Sequence, residues 1–394
     1  MAFYYVNLGA ASEQTWTFST PWGNGGESLT PEGEKKVLKK GEEQGMRRPC
    51  RKSALTLLIF LPAFLFLLES IDSGAALQAG EPAKPAAFKE ALVPLRLAYS
   101  AITVNQAIPW IAYDAGLFRK YGLDVQLIHA SSITAMQALF AGEVSIGQSL
   151  TDACVSANLS GADTVFMASI LDKPLYSFVA NPRIKTPAEL KGKRIGITRF
   201  GSTPDALTRA LLKMWGLDPV TDVTLVQLNE MGLLVTGLVN EVIDAAAISI
   251  PSNIRAKNLG FVELFDLTRI NKTYITGAVV TTKHFIDQRR DIAKRFMKGY
   301  LEGIKRYLDD EEFSVRVIQK WTRMKSRDDL KEAYALQARN MLKIPRTPLE
   351  GVKTILEGLE KIPAAKTADP RRFVDMSLID ELEKEGFVAN LYKH

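Results

Sequence analysis

The chain has 394 residues, 46% of them hydrophobic, which suits a globular protein with a sizeable core and argues against disorder. Its 50 basic and 44 acidic residues leave a net charge of +6, with no Lys/Arg cluster interleaved with aromatics, so nucleic-acid binding is not expected. Beyond residue 79 the only cysteine is Cys154, which excludes an internal disulfide and a cysteine metal site there.

The first 45 residues, with Pro21-Trp22-Gly23-Asn24-Gly25-Gly26 and a mixed-charge run from Glu32 to Glu43, show no core periodicity. Met46 to Lys52 is basic, Ala54 to Leu68 is almost wholly apolar, and Ser73 to Ala79 is built of small residues. This is the three-part pattern of a secretory signal peptide, with cleavage after Ala76 or Ala79. The apolar run is short of the roughly 20 residues a membrane span needs. An uncleaved anchor that borrows flanking residues is the alternative. No cysteine follows the run where a lipid would be attached, so lipidation is not expected. A signal peptide should begin its chain. The pattern therefore predicts translation from Met46, with residues 1–45 a start-site artefact or disordered and residues 46–79 the signal. Residues 1–79 carry eight basic and eight acidic side chains, so the remaining 315 residues keep the charge of +6. Residues 80–93, rich in Ala, Pro and Lys, read as a flexible leader.

Strands then alternate with helices. Leu95–Ser100 reads as a strand, Trp110–Phe118 as a helix opened by Pro109, and Leu123–Ala130 as a strand. Ser131-Ser132 precede a helix from Ile133 to Ala141, Val144–Gly147 is a strand, and Thr151-Asp152 start a helix that ends at Gly161. Asp163–Leu171 and Leu175–Ala180 are further strands. After Asn181-Pro182 the rhythm restarts. A helical turn at Pro187–Leu190 leads to a strand at Arg194–Thr198. Ser202 or Thr203 then stands at an N-cap position, with Pro204 and Asp205 in the first turn of a helix to Trp215. Strands at Asp222–Leu228, Asp244–Ser249 and Val262–Phe265 flank helices at Met231–Asn240 and Pro251–Asn258. Tyr274–Thr281 is extended, and residues 284–385 are helical with polar breaks. Such alternation predicts an α/β fold built of parallel βαβ units, in two similar halves with a helical tail.

Six phrases carry a family resemblance: "AGLFRKYGLDVQL", "ITAMQALFAGEVSIG", "IKTPAELKGKRIGI", "GSTPDALTRALLKMWGLDPVTDVTLVQL", "LVNEVIDAAAIS" and "AKRFMKGYLEGI". In this order, from Leu95 to about Ile304, the chain resembles substrate-binding proteins of ABC transporters of the nitrate/sulfonate/taurine type, and the related binders of thiamine-pyrimidine precursors. The resemblance implies a type II periplasmic-binding-protein fold: two α/β lobes, a hinge of two crossings, and a ligand held between the lobes. It places lobe 1 at residues 94–181 and 277–394, lobe 2 at 182–276, and the crossings near Asn181-Pro182 and Thr276-Gly277. It implies an exported, periplasmic or extracytoplasmic monomer that carries a small solute to a membrane permease with a cytoplasmic ATPase, without a cofactor or catalytic residues. Relatives that synthesise the thiamine pyrimidine leave an enzyme as the alternative, and a non-transport sensor is a third reading. The enzyme chemistry uses a cysteine-rich segment and histidine, whereas here Cys154 stands alone and His129, His284 and His394 are scattered. No Gly-x-Ser-x-Gly elbow, phosphate-binding Gly-rich loop or His-Glu-x-x-His helix occurs.

In open α/β sheets a ligand sits beyond the carboxyl ends of the strands, where loops enter helix N-termini. That rule selects Ser100; Ser131, Ser132 and Ile133; Thr151; Phe200, Gly201, Ser202 and Thr203; and Ser249 with Pro251. Hydroxyls and free amides there fix a polar or anionic group without a full charge partner. Each serine and threonine also has a plain capping role open to it. His129 ends the second strand, and Arg199 stands beside the Gly201 turn as a possible anion partner or a surface ion pair. Asp205 and Arg209 are spaced to pair on a helix. Tyr99, Trp110 and Phe200 are either an apolar wall of the cleft or core.

Overall fold

The computed structural model describes residues 91–359 and 361–393. The start-site segment 1–45, the signal segment 46–79 and nearly all of the 80–93 leader lie outside those residues. Ten strands form two five-stranded sheets. The first sheet has the order β2 (Leu123–His129), β1 (Val93–Tyr99), β3 (Ile146–Gln148), β10 (Thr276–Thr282) and β4 (Thr164–Leu171). The second has the order β7 (Thr224–Gln227), β6 (Arg194–Ile197), β8 (Ala245–Ser249), β5 (Tyr176–Ala180) and β9 (Val262–Asp266). In each sheet four strands run in one direction and the fifth runs antiparallel to both its neighbours: β10 between β3 and β4, β5 between β8 and β9. The chain thus makes a mixed α/β fold of two topologically equivalent lobes. β4, β5 and β8 are buried at every position, which explains their unbroken apolar runs: strands covered on both faces lose the polar alternation of a half-exposed sheet.

The first crossing is not at Asn181-Pro182. β5 pairs with β8 and β9 of the second sheet, so the chain changes lobes at residues 172–175, and lobe 2 begins with Tyr176. The Asn-Pro break is only the end of β5. The second crossing occupies residues 267–275 and delivers the chain to Thr276 at the start of β10. Each antiparallel strand is thus the one the chain enters directly after crossing.

The helices are α1 (Ala107–Asp114), α2 (Leu117–Lys120), α3 (Ser132–Phe140), α4 (Thr151–Leu159), α5 (Thr203–Met214), α6 (Met231–Val239) and α7 (Ser252–Asn258) within the lobes. The tail holds α8 (Lys283–Gln288), α9 (Arg290–Asp309), α10 (Glu311–Thr322), α11 (Arg327–Asn340), α12 (Leu349–Gly358), α13 (Ser377–Lys384) and α14 (Phe387–Leu391). Among the described residues no helix is long and apolar enough to cross a membrane. The tail belongs to the core of the first lobe: Phe296 and Tyr300 of α9 are fully buried, and Phe296 stacks on Phe118 at 5.2 Å. Trp110 of α1 lies flat on Trp321 of α10 with ring centroids 5.6 Å apart. Trp110 is therefore a core residue, and so is Tyr99, which meets both indoles edge-on. Neither forms an apolar wall of the cleft.

Candidate functional site

The carboxyl ends of the parallel strands of both lobes face one cleft of about 910 Å³, mouth included. From the first lobe come the loops after β1, β2 and β3, with Ser100, Ser131, Ser132, Ser149 and Thr151. From the second come the loops after β6 and β7, with Thr198, Arg199, Ser202, Thr203, Asn229 and Glu230. Tyr176 and Thr276-Gly277, where the two crossings end, complete the lining. Gly277 combines φ +64° with a site where a Cβ would stand 2.6 Å from Ile170, so no other residue fits that bend unchanged.

Four helices of nine or more residues, α3 to α6, start at this cleft. A helix start carries unpaired N–H groups and a partial positive charge. Only α3 spends its cap internally: Ser131 Oγ accepts the Thr134 amide at 3.2 Å. α4, α5 and α6 have no side-chain cap. Ser202 occupies the N-cap position of α5, but its hydroxyl turns back to donate to the Arg199 carbonyl at 2.6 Å. The Asp205 carboxylate instead reaches back to accept the Gly201 amide at 2.9 Å, and Arg209 pairs with it at 2.7 Å. This pairing is not a surface ornament, because Asp205 is buried. Arg199, half-buried, has no ion-pair partner among the described residues, so its guanidinium is available to the cleft. His129 lines the mouth and leans on Tyr99 with ring centroids 5.3 Å apart.

One carboxyl group ties the three parts of the molecule together. Asp152, buried in the first turn of α4, accepts the Thr203 hydroxyl of lobe 2 at 2.7 Å and the Tyr274 hydroxyl of the second crossing at 2.5 Å. Burial pushes the Asp152 carboxyl above the usual range, the hydrogen bonds from Tyr274 and Thr203 oppose that rise, and the nearby Asp205 charge adds to it. Tyr176 and Tyr274 are pushed up as well, chiefly by burial and then by the Asp152 charge. Ser149 (φ 57°) and Asn229 (φ 68°) hold left-handed backbone at the cleft, a conformation that costs free energy and that the surrounding fold must enforce.

Ser100, Ser131, Ser132, Thr151, Ser202 and Thr203 are thus brought together, whereas five residues selected from the sequence lie elsewhere. Phe200 points outward, half-exposed, beneath the Arg209 guanidinium, and Ile133 is half-exposed beside the mouth. Gly201 supplies the turn with φ +77° but lines nothing. Ser249 and Pro251 are buried because the loop after β8 packs inward: the Ile250 amide bonds to the Leu175 carbonyl at 3.2 Å, and Ile250 joins the core of the first lobe. Tyr176, paired opposite Ser249, fills the place at the cleft. The topology also pairs the loops of the two lobes. The loop after β6 corresponds to the loop after β1, and Ser131-Ser132 correspond to Glu230-Met231. Asn229 and Glu230 were missed although the strand and helix around them were legible; the strand-end rule applied to β7 finds them.

Two hinged α/β lobes around a polar cleft define a periplasmic-binding-protein fold. The chain belongs to the NMT1/THI5-like family, whose model matches residues 104–312, more than half of it. A Brucella abortus chain named only as a binding protein is 25% identical over 262 residues, covering 64% of this chain and 80% of that one. The periplasmic aliphatic sulphonate binding protein SsuA of Escherichia coli superposes with a TM-score of 0.58 at 18% identity, over 72% of this chain and 92% of its own. The periplasmic nitrate-binding protein NrtA of Synechocystis PCC 6803 gives 0.61 at 15%, over 76% and 91%. A desulfurization enzyme, DSZB, shares the fold at 0.56 and 13% identity, over 74% and 99%, so the fold alone does not choose between binding and chemistry.

Proposed function

We propose that this protein is the extracytoplasmic solute-binding component of an ABC importer. It captures a small polar or anionic solute of the sulfonate, nitrate-like or pyrimidine type, taurine among them, and closes its two lobes about the hinge. The observation that carries this reading is the set of uncapped helix starts from both lobes that face one cleft beside the unpaired Arg199. Neither lobe alone encloses the space, so a ligand that touches both favours the closed arrangement. Binding is favoured over catalysis because Cys154, the one cysteine among the described residues, is fully buried and burial pushes its thiol up to about 12, so it does not serve as a thiolate nucleophile. A cleaved signal peptide at residues 46–79, monomeric capture, and hand-over to a membrane permease with its cytoplasmic ATPase complete the proposal. N-terminal sequencing of the exported protein tests the first of these; a peptide from residues 1–45 overturns the start at Met46.

The direct test is a thermal-shift panel of sulfonates, oxyanions, pyrimidines and small carboxylates. A ligand at 100 times its Kd stabilises by about 2.7 kcal/mol, a shift readily seen. A flat panel overturns the transport reading.

A further inference from the structure

Hydroxyls at an anion site are usually counted as donors, but Ser100, Thr276, Ser202 and Thr198 in this cleft have already given their protons away. Ser100 Oγ donates to the Ser149 carbonyl at 2.9 Å, and Thr276 Oγ1 donates to the Lys173 carbonyl at 3.1 Å. Ser202 Oγ donates to the Arg199 carbonyl at 2.6 Å. A carbonyl can only accept, so these directions are fixed. The contact of 2.9 Å between Thr198 Oγ1 and Ser202 Oγ must then be a donation from Thr198. Ser202 also accepts the Arg199 amide at 3.4 Å, which saturates its oxygen and leaves nothing for a ligand.

The same reasoning orients Gln106. Ser100 has no proton left for it, so Gln106 Nε2 is the group that faces Ser100 Oγ, at 3.4 Å, and Gln106 Oε1 points elsewhere. That oxygen is buried on a residue 1% exposed and has no partner. Unfilled lone pairs therefore remain on Ser100 and Gln106 in lobe 1, on Thr198 in lobe 2 and on Thr276 where the second crossing ends, all cleft-lining residues. Free donors stand on both lobes: the Arg199 guanidinium, the first-turn amides of α5 and the Asn229 amide nitrogen (the Asn229 oxygen is taken by Gln227 at 3.2 Å) on lobe 2, and the unpartnered Ser149 hydroxyl and the uncapped start of α4 on lobe 1.

Resting on the solute-capture reading, we propose that the cleft selects a bifunctional solute. Its anionic or acceptor end meets Arg199 and the start of α5, and at least one N–H or O–H donor fills the lone pairs of Gln106, Ser100 and Thr276. Bare oxyanions and donor-free sulfonates or carboxylates leave a buried acceptor unpaired and are discriminated against.

Calorimetry on the purified protein with matched pairs tests this: ethanesulfonate against 2-hydroxyethanesulfonate and 2-aminoethanesulfonate, acetate against glycolate and glycine, with nitrate and sulfate as bare oxyanions. The donor-bearing member of a binding pair is expected to be tighter by at least about tenfold. Gln106→Met, or Thr276→Val should the first variant fail to fold, is expected to shrink that ratio, because it removes the acceptor that a donor-free solute leaves unpaired. Equal affinities within every binding pair, tightest binding of nitrate or sulfate, or a ratio unmoved by either folded variant overturns the inference alone. A panel in which nothing binds overturns solute capture itself, and this inference falls with it.

Discussion

The two lobes share one topology, yet they serve the cleft differently. Lobe 1 sends the loops after β1, β2 and β3, its three strands that pair parallel, to the cleft. Lobe 2 sends two, and turns the third, Ile250-Pro251, into the core of its partner lobe. Lobe 1 caps α3 with Ser131 and leaves α4 uncapped, whereas lobe 2 leaves both α5 and α6 uncapped and adds Arg199 and Asn229. One lobe thus lines the cleft with hydroxyls, amides and His129, and the other adds the charged groups, the Arg199 guanidinium and the Glu230 carboxylate. Equivalent topology fixes where loops arrive; side-chain chemistry decides which of them bind and which of them build.

Arg199→Ala attacks that asymmetry most directly. It should weaken binding of an anionic solute by about ten- to a hundredfold, the value of a hydrogen bond to a charged group. Its melting temperature should stay near that of the parent, since no ion pair is lost among the described residues. Unchanged affinity in calorimetry removes lobe 2 as the charged side. Thr203→Val tests the seam between the lobes. It deprives the buried Asp152 carboxyl of one donor and should cost about 1–3 kcal/mol in denaturant unfolding, besides loosening closure.

Asp152 gives the seam a pH signature. Its folded-state pKa is raised, chiefly by burial, so above the ordinary carboxylate range the native protein keeps a proton that the unfolded chain has released. Stability from this group therefore falls as pH rises through that window. Asp152→Asn should remove the slope, and parallel stability-versus-pH curves for the two proteins would show the assignment to be wrong. The smallest change is expected from Ser131→Ala, about 1 kcal/mol of stability for the lost cap with solute affinity nearly intact. Ser202→Ala should do the reverse of a cap deletion: α5 loses no cap bond, while the turn that presents Arg199 loses its tie to the Arg199 carbonyl.

Much of the fold was legible because strand length, apolar runs and glycine or proline breaks are local signals. Nine strands were placed in this way, from Leu95–Ser100 to Val262–Phe265, and the tenth was read only as the extended segment Tyr274–Thr281. Sheet membership is not local. Nothing within Tyr176–Ala180 tells which sheet it joins, and the first crossing was misplaced to Asn181-Pro182 for that reason. The cleft was half legible: strand-end position found Ser100, Ser131, Ser132, Thr151, Ser202 and Thr203. The same rule also chose Ser249 and Pro251, because it does not know when a loop is used as mortar. Asp152 stood next to Thr151 in plain view, yet its value lies in contacts with residues 51 and 122 positions away. Hydrogen-bond direction, which turns Ser202 from a ligand contact into a saturated turn residue, has no trace in the sequence.

The two crossings also order events in time. Every strand of the second sheet lies in the unbroken segment from Tyr176 to Asp266, whereas β4 joins the first sheet through β10, which follows that whole segment. Closing the first sheet must span the entire second lobe, a long loop with the entropic cost that slows distant pairing, and that cost is reduced once the intervening lobe has collapsed into a compact insert. The second lobe should therefore fold first and the first lobe close around it. Pulse-labelled hydrogen exchange during refolding should find amides of β6 and β8 protected before those that join β10 to β3 and β4; simultaneous protection would show that the insert gains no head start.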